Sequence, residues 1–198
     1  MYYSISSVIF HMDALPRHQC IVYGGQPTLH LQSLALTIIG KLKGKKRCLY
    51  LNSPAMVAEM RTALITAGLD PAAEIKKGSL VFVSDQNHLV DGKFDVDKMM
   101  DMLNITLQQA LADGYTGLWA TGDMTWEFGS EKNFAKLFEY EQRLDIFMKH
   151  NPGLSGVCQY HRDNIPIEAI ETAGRVHPAM YVSDTLSHIN PDYELPAA

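Results

Sequence analysis

The sequence predicts an α/β fold: three layers, α/β/α, around a mostly parallel sheet of about six or more strands. Two observations carry that expectation. Short apolar runs without polar alternation recur along the chain, as buried parallel strands require, and each is separated from the next by a segment with helical spacing of apolar residues. The chain has 198 residues, 46% of them apolar, enough for one substantial core. The expected organisation is a single domain over 1–198, with an N-terminal extension at 1–16 and a C-terminal tail at 186–198.

The first predicted strand, 19–23 (QCIVY), ends at Gly24-Gly25, which marks a tight turn. Leu31, Leu34, Ala35, Ile38, Ile39 and Leu42 then recur at helical spacing, with Thr28 placed to cap the helix. The second strand is 47–51 (RCLYL); Ser53-Pro54 supplies an N-cap and a first-turn proline for a helix ending near Gly68. The third is 80–83. Asp95 caps a long helix bearing Val96, Met99, Leu103 and Leu107, which Gly114 stops in a left-handed conformation. The fourth strand is 117–121. A helix carrying Phe134, Leu137, Phe138, Leu144 and Met148 closes at Asn151-Pro152-Gly153 before a fifth strand, 156–160. A short helix over 165–173 and a strand over 179–183 complete the alternation, and 190–198 reads as a loose polar tail. Ligands of such sheets bind outside the carboxyl ends of the strands, which places any pocket among the loops 24–28, 52–53, 84–88, 122–127 and 159–164.

Charge and cysteine usage narrow the function classes. The net charge of −5 and the lack of a long basic run give no footprint for direct nucleic-acid binding. The one basic cluster, Lys41, Lys43, Lys45, Lys46 and Arg47, falls at a helix end and turn, where the helix dipole and water accommodate it. Cys20, Cys48 and Cys158 are an odd, widely spaced set, so neither a disulfide framework nor a zinc ribbon is indicated, and a reducing cytoplasm fits. No stretch approaches the roughly 20 apolar residues that span a bilayer.

A strand that ends in Gly24-Gly25-Gln26-Pro27-Thr28 and opens a helix is placed like the phosphate loop of RecA-like ATPases. Its chemistry is missing: G-x-x-x-x-G-K-[ST] needs a second glycine and a lysine, and neither register from Gly24 or Gly25 supplies them. Pro27 also removes one N–H from any anion cradle. Asp123, just past the fourth strand, corresponds to the magnesium-organising acid of such enzymes and is equally a common turn residue. ATP hydrolysis is therefore not expected.

Several segments together resemble the MEDS family of sensory domains: His18-x-Cys20-x-x-Tyr23, Tyr50, Gly114-Tyr115, 121–126 (TGDMTW), Glu139-Tyr140-Glu141, Cys158-Gln159-Tyr160 and His177-Pro178. The resemblance covers the chain from about Arg17 to Val182. It implies a degenerate RecA-like fold that senses small molecules, hydrocarbon derivatives among them, and that works with signalling or transcription modules. Family members tend to have glutamate where this chain has Asp123.

The expected ligand site comprises Gly24, Gly25, Asp123, Met124, Trp126, Glu141, Cys158 and Tyr160, with Trp126, Met124, Tyr160 and Tyr23 forming an aromatic, apolar wall for a small organic ligand. Glu141 falls on the apolar face of its helix, between Leu137 and Leu144, so its carboxylate needs a partner, for which Arg143, Arg162 or a backbone amide are candidates. The candidate metal ligands are His18, Cys158, His161 and His177, but no metal is expected. His18 and His177 precede their strands and Cys158 lies within one, so all three are not expected to meet, although the two histidines approach each other if their strands are close; Cys158 and His161 point to opposite faces unless the strand ends between them. Two other readings are a protein-interaction module acting on a signalling or transcription partner, and an enzyme using Glu141 or His161 as acid or base in the same pocket. No H-E-x-x-H, G-x-S-x-G or G-x-G-x-x-G occurs, and His161-Arg162-Asp163 lacks the rest of a kinase signature. The residues name no cofactor and no oligomeric state.

Overall fold

The computed structural model describes residues 16–26, 28–127, 134–182 and 187–194. Among these residues the sheet has seven strands: β1 (His18–Tyr23), β2 (Arg47–Leu51), β3 (Leu80–Val83), β6 (Leu118–Asp123), β7 (Leu154–His161), β8 (Ala179–Tyr181) and β9 (Ser187–Ile189). Their order is β3-β2-β6-β7-β1-β8-β9, parallel throughout except for the antiparallel β8–β9 edge pair. A separate two-stranded hairpin, β4 (Leu89–Val90) with β5 (Lys93–Phe94), turns through Asp91 and Gly92, both at positive φ.

The period-2 geometry of the strands distributes each apolar run between two cores. Cys48 and Tyr50 of β2, Trp119 of β6 and Val157 of β7 pack against α1 (Leu31–Lys43) and α2 (Pro54–Thr66), through Leu34, Ile38, Met60 and Leu64. Leu49, Leu51, Leu118, Cys158 and Tyr160 face α4 (Val96–Ala112), α6 (Ala135–His150) and α7 (Ile167–Gly174). Helices thus cover both faces, giving the three expected layers.

Most predicted helix signals are in place. The Ser53 hydroxyl accepts from the Met56 N–H at 3.3 Å ahead of Pro54, Asp95 accepts from the Lys98 N–H at 2.9 Å, and Gly114 is left-handed at φ 84°. Thr28 is not the cap of α1. The cap position is His30, whose side chain makes no capping bond because its ring is drawn to Gln159 on β7; Thr28 contributes its carbonyl to the Leu31 N–H. Pro27 lies outside the described residues.

Four elements exceed the sequence expectation: α3 (Pro71–Lys77), the β4–β5 hairpin, the short α5 (Met124–Glu127) and β9. The segment 190–194 is docked rather than loose. The Asn190 amide donates to the carbonyls of Gly174 (2.7 Å) and His177 (2.9 Å), and the Tyr193 hydroxyl donates to Asp145 Oδ2 at 2.8 Å. Arg47 is not solvated either: it is buried, its Nε donates to the Gly78 carbonyl at 2.7 Å, and its guanidinium pairs with Asp113.

Candidate functional site

The sheet order creates one topological switch. From β2 the chain crosses outward to β3, whereas from β6 it crosses the opposite way to β7, so the loops leaving these adjacent strands diverge. A crevice at the carboxyl ends follows from that divergence. A cleft of about 190 Å³ lies there, walled by Asn52, Ser53 and Met56 after β2, Thr125 and Trp126 after β6, and Tyr23, Asp123, His161 and Asn164 at or beyond the ends of their strands.

Its polar groups are held in fixed directions. Asp123 Oδ2 accepts from the Tyr23 hydroxyl at 2.6 Å, and Oδ1 accepts from the Trp126 N–H at 3.0 Å, so the aspartate caps α5. Burial, then the neighbouring Asp123 carboxylate, pushes the Tyr23 phenol well above its ordinary value. The Asn52 amide donates to the Tyr50 hydroxyl at 3.1 Å, while its oxygen accepts from the Ser53 N–H at 2.8 Å. The buried Thr125 hydroxyl has no hydrogen-bond partner among the described residues.

The loop in the phosphate-binding position is tied to the loop after β7. The Gly25 N–H donates to Asp163 Oδ2 at 2.8 Å, and the Gly25 carbonyl accepts from His161 Nε2 at 2.9 Å. His161 Nδ1 in turn accepts from the Asp163 N–H at 3.3 Å, which defines the Nε2-protonated tautomer. Gly25 needs its φ of 75°, and a Cβ on Gly24 would stand 2.3 Å from Arg162 Nε. The chain's own carboxylate thus takes the backbone N–H that a phosphate loop would offer to an anion.

The residues expected to share one pocket occupy three places. Asp123 and Trp126 line the cleft, as does Tyr23. Gly24 and Gly25 sit in the bonded loop beside it. Met124 is buried in the core under α4 and α6, and Tyr160, Cys158 and Glu141 lie on that same far face of the sheet. The parity of β7 separates them, since Cys158 and Tyr160 face α6 while Gln159 and His161 face the other way. Tyr160 therefore does not wall the cleft, and Glu141 cannot act there as acid or base; His161 reaches the cleft with both ring nitrogens engaged by backbone.

Glu141 is fully buried, and its partners are not Arg143, Arg162 or a backbone amide. The Tyr160 hydroxyl donates to Oε1, and around Oε2 gather His18 Nε2 (3.2 Å), His177 Nε2 (3.5 Å) and Cys158 Sγ (3.5 Å). The expectation against His18, Cys158 and His177 all meeting is overturned, while the two histidines are close, as adjacent strands allow. His18 pairs in register with Gly156, so its face-mate one step along β7 is Cys158, and the turn between α7 and β8 folds His177 onto the His18 ring with centroids 4.0 Å apart. His161 stays outside this group. Burial opposes charge on His18, but Asp145 and Glu141 outweigh it and hold its pKa above the ordinary histidine value. Burial also opposes charge on Glu141, yet His177, His18 and Tyr160 hold its carboxyl below the usual range. His177 is pushed down to about 4, by burial first and by His18 second.

A mostly parallel, three-layer sheet with a glycine-ended first strand and a cleft at the strand ends defines a RecA-like α/β domain whose phosphate loop lacks the lysine. The chain belongs to the MEDS family, the MEthanogen/methylotroph, DcmR Sensory domain, whose model matches residues 17–178. Among solved structures it is similar in fold to the KaiC-like protein PH0186 from the hyperthermophilic archaeon Pyrococcus horikoshii OT3, with a TM-score of 0.54 and 12% identity over 83% of this chain and 70% of that one. No curated protein matches the sequence. Family membership points to a sensory, regulatory role. No helix among the described residues is long and apolar enough to cross a membrane.

Proposed function

We propose that the chain is a non-hydrolytic sensory domain that takes a small organic ligand into the cleft between the ends of β2 and β6. The observation that carries this reading is the cleft itself. At about 190 Å³ it has room for a ligand of a handful of non-hydrogen atoms, with an indole and a methionine for its apolar part. Thr125 lines the cleft, and its buried hydroxyl, which has no hydrogen-bond partner among the described residues, supplies a hydrogen-bond group for a ligand with one polar end. Sensory family membership supports a regulatory output, which a signalling or transcription partner would read. Capture of the Gly25 N–H by Asp163 supports the non-hydrolytic half of the proposal.

Thermal denaturation against short-chain alcohols, halomethanes and methylamines tests the reading. A ligand that binds only the folded chain, at a hundred times its Kd, stabilises it by about 2.7 kcal/mol. The melting temperature is expected to rise with at least one probe, and the rise to vanish in Trp126→Ala. A rise unaffected by Trp126→Ala and by Asn52→Leu contradicts the cleft assignment. Phosphate release from magnesium-ATP that is lost in Asp123→Ala contradicts the non-hydrolytic assignment.

A further inference from the structure

The buried group on the far face of the sheet holds one nitrogen, His177 Nε2, that no hydrogen bond among the described residues explains. One donor atom each from His18, Glu141, Cys158 and His177 lies within 4.8 Å of the other three, and all four residues are buried. His177 Nδ1 must donate to the Ala173 carbonyl at 2.8 Å, because a carbonyl only accepts. Its Nε2 then presents a lone pair, which has no hydrogen-bond partner among the described residues although Glu141 Oε2 is 3.5 Å away. His18 is oriented the same way: Nδ1 faces Asp145 Oδ1 at 3.3 Å, and Nε2 points inward. The His177 Nε2 lone pair and the Glu141 carboxylate repel unless a positive charge lies beside them; a protonated His18 supplies it in the metal-free chain, and a bound cation reached by all four donor atoms would supply it in its place.

We propose that His18 Nε2, His177 Nε2, Cys158 Sγ and Glu141 Oε2 form a binding site for one divalent transition-metal ion of the zinc class. Two imidazoles, a thiol sulfur and a carboxylate make a borderline-soft donor set, suited to zinc and its first-row neighbours and unsuited to magnesium or calcium. Ligand bonds of zinc length set tetrahedral edges of about 3.3–3.6 Å. Four of the six edges lie within a few tenths of an ångström of that range, at 3.2 Å for His18 to Glu141, 3.5 Å from Glu141 to both His177 and Cys158, and 3.8 Å for Cys158 to His18, and the remaining two are within 4.8 Å, so a small inward shift of the side chains completes the site.

A surrounding shell is built as metal sites require. Asp145 and the Ala173 carbonyl hold the outer nitrogens of the two histidines, and the Tyr160 hydroxyl holds the second oxygen of Glu141. Asp145 is itself fixed by Lys149 and Tyr193, each at 2.8 Å. With four protein ligands, all buried, the site is of the closed, stabilising kind. The ion would fasten α6 and the α7–β8 turn to β1 and β7.

The test uses the full chain stripped with a chelator and reloaded with Co²⁺ or Zn²⁺. One metal per chain is expected, with a thiolate-to-Co²⁺ charge-transfer band and d–d bands of tetrahedral intensity that Zn²⁺ abolishes. Cys158→Ser should remove the charge-transfer band, and His177→Gln should weaken binding by roughly 100-fold or more. Exposed His150→Gln and His188→Gln should leave both unchanged. Absence of stoichiometric uptake by folded chain, or a charge-transfer band that survives Cys158→Ser, overturns the site. Should Cys158→Ser not fold, X-ray absorption on the zinc-loaded natural chain decides: one sulfur among nitrogen and oxygen ligands supports the site, and a sulfur-free shell overturns it.

Discussion

The Tyr23 hydroxyl donates to Asp123 Oδ2 at 2.6 Å across the end of β7, joining two strands that are not neighbours in the sheet. This bond sets the floor of the cleft. Asp123 also caps α5, so a single carboxylate links the first strand to the backbone that carries Thr125 and Trp126.

Tyr23→Phe removes the bond and leaves a buried carboxylate oxygen short of one donor. Hydrogen bonds to charged groups contribute about 1.5–3 kcal/mol, and the half-buried position of Tyr23 argues for the lower end. A loss of about 1.5 kcal/mol by urea denaturation is expected, with a change in Trp126 fluorescence as α5 loosens.

His30 supplies a pH dependence. Its Nε2 lies 2.8 Å from Gln159 Oε1, whose amide donates to Thr121 Oγ1 at 2.9 Å; that relay makes Nε2 the protonated nitrogen and leaves buried Nδ1 without a partner among the described residues. Burial lowers the pKa of His30 from 6.5. The unfolded chain therefore takes up this proton first, so the associated stability is complete above pH 6.5 and is lost as pH falls through the lowered folded value. The fall of the urea midpoint below pH 6.5 should be shallower in His30→Gln than in the natural chain. Equal slopes would show that His30 does not report on this titration.

The two glycines of the first loop should respond differently. Gly25→Ala forces a Cβ onto φ 75° and is expected to cost about 1 kcal/mol. Gly24→Ala meets only the exposed Arg162 side chain, which can swing away, so its denaturation midpoint should barely move.

The docked tail makes a further prediction. Asn190→Ala deletes the donors to the Gly174 and His177 carbonyls and should destabilise by about 2 kcal/mol, near 1 kcal/mol for each bond. Faster amide exchange at Val176 and His177 is the accompanying signature.

The parallel sheet and its main helices are legible in the sequence because buried strands are apolar throughout and the caps are local, as at Ser53 and Asp95. The D-G pair at Asp91-Gly92, between Leu89-Val90 and Lys93-Phe94, is a hairpin signal of the same local kind, as is Asp70-Pro71 before a seven-residue helix ended by left-handed Gly78. Site composition is less legible. Whether Tyr160 faces the cleft or Glu141 depends on strand parity within the assembled sheet, and the meeting of His18 with Cys158 depends on the β1–β7 register. Neither is encoded in spacing along the chain: His18 and Cys158 are 140 residues apart, and Tyr160 and Glu141, 19 residues apart, meet only once α6 is laid on the sheet. Glu141 is the exception, because its place on an apolar helix face already demanded a buried partner.

The central claim is a ligand cleft between β2 and β6, and a ¹⁵N NMR titration tests it most directly. With dichloromethane and short-chain alcohols as probes, saturable shifts are expected at the Trp126 indole N–H, the Asn52 side-chain amide and the Thr125 amide, and not at the exposed ends of α2 or α4. Absence of saturable shifts at these cleft groups, or saturable shifts confined to residues remote from the cleft, would contradict it.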